Sequence, residues 1–231
     1  MIDNPRERYL ERVDAVFARL ENRAAFVRFD LARDSRAREA VFRLRADAVL
    51  RNGWATTEEL PGGIEKDEYD DLAVHIAGWD GDKLITSSRL VFPEPGLTLP
   101  TEAHFDVTDK ASDVANLDRM VVAEGYHDLS HRVLVALLGR SWKELRRRGF
   151  HRSIGTLTPG MIRLYERIGW TVTRIGPPRV YWGEERYPVR FDPLENAAIP
   201  RSELDFEARS DGDGHAAPLN TESADHSVGA Q

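Results

Sequence analysis

The sequence predicts an α+β fold: one domain over residues 1–201, built on a mixed central β-sheet flanked by helices, followed by an acidic, disordered tail over residues 202–231. Three observations carry that reading. Helical and strand periodicities alternate along the chain around one evident hairpin, which is the pattern of a sheet with helices packed on it. The length, 231 residues, suffices for one well-buried domain and is short for two. Beyond about Pro200 the composition turns polar and acidic: seven acids face Arg209 between Ser202 and Gln231, a net −6 out of the chain's −7.

Taken in order, Asn4 can cap a first helix with Pro5 in its first turn, and Leu10, Val13, Phe17 and Leu20 form its apolar stripe. Residues 25–32 read as a strand. Asp34 or Ser35 opens a second helix running to about Arg51, with Val41, Leu44, Ala48 and Val49 on its buried side. Arg45 falls on that same stripe. Such a guanidinium either snorkels to the rim or is buried against acids, because burying it unpaired is expensive. A long loop from Trp54 to Asp71 follows, carrying an acidic run that includes Asp67 and Asp70; loops of this length are usually functional or disordered. Residues 72–79 and 83–92 form a hairpin turned by Asp80-Gly81, and Arg89 on its second strand shares a face with Ile85, Ser87 and Val91. Residues 93–112 show little period of either kind. Residues 116–122 read as a buried strand, and Asp128 or Ser130 starts a long helix that ends before Gly149. Strands at 151–157, 170–174 and 187–191 follow, the first two separated by the helix in TLTPGMIRLYERIGW, bounded by Pro159 and Gly169. Met161, Leu164, Tyr165 and Ile168 share its buried side, so Tyr165 is either a core tyrosine with a bonded hydroxyl or a working phenol.

Composition excludes several classes. There is no cysteine, hence no disulfide framework, thiolate metal site or cysteine nucleophile. No run of about 18 apolar residues suggests a membrane span and the amino terminus does not read as a signal peptide, so the expectation is a soluble cytoplasmic protein. No broadly basic, aromatic face suggests nucleic acid. His127 and His131 have a spacing of four but no evident third ligand, so no metal is expected.

The proline-led helix with Arg-Leu-Tyr-Glu-Arg-Ile-Gly-Trp resembles the last helix and following strand of the GNAT acyltransferases. The order Arg45, Trp54, Asp67-Glu-Tyr-Asp70, Arg89 and the carboxy-terminal GPPRVYWGEERYPV resemble more narrowly the acyl-homoserine-lactone synthases and the related N-acyl amino acid synthases, over residues 42–192. The resemblance implies a GNAT-like fold and transfer of an acyl group from a thioester, on acyl carrier protein or coenzyme A as co-substrate, to the amine of an amino acid or its derivative, with no permanently bound cofactor. It implies that Arg45, Trp54, Asp67, Asp70, Arg89, Asn116 and Arg119 surround the acceptor. Met120, Val121, Val122, Ser130 and His131 would meet the donor. Tyr165 would protonate the departing thiolate, and Asp118 is the candidate to take the ammonium proton. Two departures stand out: Asn116 occupies the place of the family's glutamate, and the segment VVAEGYHDLSHRVL has a single glycine where coenzyme A enzymes carry a phosphate-binding loop. They keep open a non-catalytic acyl- or amino-acid-binding module. The second also favours a carrier protein as donor, docked on Arg140, Lys143, Arg146, Arg147 and Arg148. Oligomeric state is not legible in the sequence.

Overall fold

The computed structural model describes residues 5–109, 113–126, 130–167 and 169–195. The expected α+β architecture is present. An eight-stranded sheet runs in the order β1-β2-β3-β4-β5-β8-β6, with β7 paired to β8 off that path. All neighbours are antiparallel except β4 and β5. The strands are β1 (Arg28–Leu31), β2 (Val74–Asp80), β3 (Lys83–Val91), β4 (Val114–Val122), β5 (Arg152–Leu157), β6 (Thr173–Arg174), β7 (Arg179–Tyr181) and β8 (Glu184–Phe191). The helices are α1 (Pro5–Asn22), α2 (Ser35–Arg51), α3 (Pro100–Phe105), α4 (Ser130–Arg147) and α5 (Pro159–Arg167). Among the described residues no helix is long and apolar enough to cross a membrane.

The stripe of α1 buries Leu10, Val13, Phe17 and Leu20 against α4, where the Phe17 and Trp142 rings stack at 4.8 Å and Trp142 Nε1 donates to Asp14 Oδ1 at 2.6 Å. The helices approach closely at Gly139, since a Cβ there would lie 2.5 Å from the Phe17 carbonyl oxygen. α2 is capped as expected, the Asp34 carboxylate accepting from Ala37 N at 2.8 Å, and it buries Val41, Leu44, Ala48 and Val49.

Several expectations need correction. β1 is half the expected strand, because residues 23–26 turn to tuck Ala24 and Val27 into the core. The hairpin turns on Gly81 and Asp82, with Asp80 still paired to Lys83. The unassigned stretch after Phe92 contains α3, whose start is held from outside: the Asn116 side-chain oxygen accepts from Thr101 N at 2.9 Å. β7 was not foreseen either, and β8 begins at Glu184 rather than Tyr187. Asp128 and residues 202–231 lie outside the described residues.

The feature that positions the site lies in the middle of the sheet. β4 and β5 pair in parallel only as far as Asn116 and Ile154, although both strands continue, to Val122 and Leu157. Three residues further on, β4 carries two residues against one on β3, a bulge in which Arg119 adopts φ +50°. The two strands therefore diverge and leave unpaired main chain facing a gap.

Candidate active site

Three arginines arrive from three elements: Arg45 from α2, Arg89 from β3 and Arg119 from the β4 bulge. Arg45 and Arg89 are fully buried and Arg119 is 13% exposed, so each must find acids. The loop between α2 and β2 supplies them. Its residue Glu65 is pinned to α2 by Glu65 N donating to the Phe42 carbonyl at 3.1 Å. The D-x-x-D spacing then folds on itself: Asp67 N donates to Asp70 Oδ2 at 2.8 Å and Tyr69 N to Asp67 Oδ1 at 3.0 Å, which turns both carboxylates the same way.

The resulting network joins Arg45, Asp67, Asp70 and Arg89 at one place. Arg45 grips Asp70 through Nη1 and Nη2 at 2.6 and 3.1 Å and donates its Nε to Glu65. Arg89 makes a two-pronged bond to Asp118 directly opposite on β4, both contacts 2.8 Å, and its Nη1 reaches Asp67 and, at 3.0 Å, Asp70. Arg119 donates to Glu65 and Asp67 at 3.0 Å each and to the Tyr181 hydroxyl at 3.2 Å. An unbroken strand would point Asp118 and Arg119 to opposite faces; the left-handed residue in the bulge lets both join one network. Burial alone would raise the Asp70 carboxyl, but the bonds and charges of Arg45 and Arg89 outweigh it and hold it well below the usual carboxylate range. Burial would likewise lower Arg89, and Asp118, Asp67 and Asp70 more than reverse it.

In front of this network lies a cavity of about 360 Å³ in the gap between β4 and β5. Arg45, Glu65, Asp118 and Arg119 form its polar floor, and Met120, Val121 and Val122 one wall, opposite Gly155, Thr156 and Leu157. Tyr165 and Met161 of α5 close the apolar end. Tyr165 is nearly buried, burial pushes its hydroxyl well up, and the hydroxyl has no hydrogen bond among the described residues.

The other end is aromatic. Trp54 lies under the Arg186 guanidinium at 5.0 Å, and Trp182 under that of Arg119 at 5.2 Å. Trp182 and Gly183 form the two-residue turn between β7 and β8, at φ +52° and +66°, a conformation that a tryptophan adopts only under constraint.

The remaining site expectations are redistributed. Asp67, Asp70 and Arg89 stand behind the cavity wall and hold those in front. Asn116 is fully buried, its oxygen committed to Thr101, so it supports α3 and does not line the cavity. Asp118 lines the cavity, but both of its oxygens already accept from Arg89, and taking a proton would break that fork. His131 is exposed and away from the cavity; the Ser130 side chain and residues 127–129, with His127, lie outside the described ones. The basic face of α4 is largely neutralised: Lys143 pairs with Glu21, Arg146 with Glu7 and Asp14, and Arg147 and Arg148 with the buried Glu144. Those acids offset much of the positive charge that a carrier protein would meet there.

Sequence reading missed Glu65, His104, Tyr181, Trp182 and Arg186, all of which line the cavity. Glu65 alone had a usable signal, since a buried stripe arginine must draw its carboxylates from somewhere and Glu65 opens the acidic run that follows it. The others depend on α3 and the β7–β8 hairpin.

No family model matches the chain, and no curated protein sequence matches it. Solved structures do. TofI, in a ternary complex with an inhibitor and MTA, is 25% identical, with 78% of this chain and 96% of that chain covered at a TM-score of 0.56. BjaI, a CoA-dependent acyl-homoserine lactone synthase solved with MTA, is 22% identical over 77% of this chain and 82% of its own, at 0.55. FeeM, an N-acyl amino acid synthase from uncultured soil microbes, is 14% identical over 78% and 97%, at 0.55. The fold is GNAT-like, and the structural resemblance is to the acyl-homoserine-lactone and N-acyl amino acid synthases.

Proposed function

We propose that the chain is an N-acyltransferase that moves an acyl group from a pantetheine thioester, carried by coenzyme A or acyl carrier protein, to the amine of an amino acid or amino-acid derivative. The observation that carries this reading is the splayed gap: β4 main chain at Met120 to Val122 that has no partner on its β5 side, a charged floor and Tyr165 line one cavity.

Each part has a task. Pantetheine amides can lie along the open edge of β4 as an added strand, and a backbone N–H there can polarise the thioester carbonyl. The network holds four carboxylates, Glu65, Asp67, Asp70 and Asp118, against three guanidiniums, so its surplus charge favours a cationic acceptor before reaction. The free amine then attacks, the carbon–nitrogen bond forms as the carbon–sulfur bond breaks, and Tyr165, protonated at neutral pH, returns a proton to the thiolate. Arg45, Arg89 and Asp70 keep Glu65, Asp118 and Arg119 in place. Trp54 and Trp182 frame the acceptor. Such donors are cytoplasmic, and this reading includes the cytoplasm as the site of reaction.

The test is incubation of purified protein with one acyl chain on coenzyme A and on carrier protein, each against a pool of amino acids and S-adenosylmethionine. Thiol release and a new amide by mass spectrometry are expected. Binding of the acyl thioester without thiol release from either donor would sink the reading and leave a binding module.

A further inference from the structure

We propose that His104, on α3, receives the proton that the acceptor ammonium gives up to become the attacking amine. The inference rests on the acyl-transfer reading above and assigns to it a residue that the sequence pattern does not mark.

The amine must shed a proton within the cavity, and the groups lining it narrow the choice. Glu65 and Asp118 are the carboxylates of the floor. Glu65 accepts from Arg45 and Arg119, and Asp118 accepts twice from Arg89, so protonating either dismantles an arginine bond. Arg45, Arg119 and Arg186 are cations. Tyr165 is at the apolar end and carries its own proton. His104 lines the same cavity, is exposed to solvent, and its imidazole makes no hydrogen bond among the described residues.

Its position is built rather than incidental. Asn116 fastens the first turn of α3 through Thr101, one turn before His104. Arg179 of β7 fastens the last turn, donating to the His104 carbonyl at 3.0 Å and to Asp106 at 2.6 Å. The imidazole rests on the Tyr181 ring at 4.7 Å, and the Tyr181 hydroxyl accepts from Arg119. Burial and the Arg119 charge push the imidazole below its ordinary value, opposed by Asp67, Asp118 and Glu68, so it is a neutral acceptor at pH 7. Because its other side meets water, it can pass the proton on and reset.

The balance closes. The acceptor ammonium gives one proton to the His104 ring nitrogen, and the free amine displaces the thiolate. The second amine proton leaves as the amide forms and protonates sulfur by way of Tyr165. The net products are amide, thiol and one proton released to solvent by His104.

The experiment compares wild type, His104→Gln and His104→Ala in kcat and KM across pH 5 to 9, with the denaturation midpoint as a check on folding. The wild-type rate is expected to fall on an acid limb below the ordinary imidazole pKa of about 6.5. His104→Gln should lose that limb and about 100-fold in kcat near neutrality, with the thioester KM within about twofold. His104→Ala should recover with added imidazole, which can enter at the solvent side; a merely structural histidine would not respond. A retained acid limb in His104→Gln, or no imidazole rescue of a folded His104→Ala, overturns the assignment while acyl transfer stands. Absence of any transfer by the wild type overturns the acyl-transfer reading and the assignment with it.

Discussion

A guanidinium on an apolar helix stripe dictates what must lie opposite it, and Arg45 finds Glu65 and Asp70. Because Asp70 serves both Arg45 and Arg89 in a fully buried position, Asp70→Asn leaves two cations short of a partner. Breaking a buried pair costs about 3–5 kcal/mol, a large part of a domain's stability of about 5–15 kcal/mol. Urea denaturation should show that loss at pH 7. Arg89→Ala removes three acids' shared partner and is expected to cost as much, so it reports on folding before it reports on acceptor binding.

The pH dependence follows from the same residues. Asp70 has a depressed folded pKa, so its stabilisation is complete above the unfolded value of about 3.9 and is lost as pH falls further, toward the folded value. His75 is also depressed: burial lowers it, and the Asp70 carbonyl and charge only partly oppose that. Its Nε2 donates to the Asp70 carbonyl at 3.0 Å, and the buried Nδ1 has no partner. Full stability therefore holds above about pH 6.5 and declines as pH falls below it. His75→Gln is expected to make the decline between about pH 6.5 and 5 shallower. The slope will not vanish, because His104 and His151 shift the same way.

At the scale of elements, the approach of α1 to α4 and the β7–β8 turn make separate predictions. Gly139→Ala would place a methyl 2.5 Å from the Phe17 oxygen and 2.6 Å from Glu21 N, both backbone atoms that cannot rotate away. Overpacking of this kind costs about 1–3 kcal/mol, read as a lowered thermal midpoint without loss of specific activity below it. Trp182→Asn keeps a residue tolerant of positive φ while deleting the indole beneath Arg119. The acceptor KM is expected to rise several-fold, in line with about 1 kcal/mol of lost cation–π packing, while the thioester KM stays unchanged. An equal rise in both would place Trp182 outside the acceptor end.

For the whole molecule, the reading of residues 202–231 as an acidic tail is tested by truncation after Arg201. Its net −6 and few apolar side chains offer little to offset the entropy of ordering, so denaturation midpoint and acyl transfer are expected to stay at wild-type values. A drop in either would assign the segment a structural part. Within residues 5–195, what local repetition can encode was legible from spacing. The apolar stripes of α1 and α2, the cap at Asp34, the hairpin of β2 and β3 and the bounds of α5 follow from spacings of two to four residues. So did the demand that Arg45 and Arg89 meet acids, since desolvation cost belongs to the side chain and its face. Only the tertiary structure decided which acids answer. Glu65 meets Arg119 across 54 residues, and the cations of α4 are taken up by α1 and by Glu144. The bulge at Arg119 turns a strand alternation into one shared face, and Asn116 holds the first turn of α3, which carries His104 to the cavity. Those pairings depend on distances between segments remote in the chain, and such distances exist only once the sheet has closed around its core.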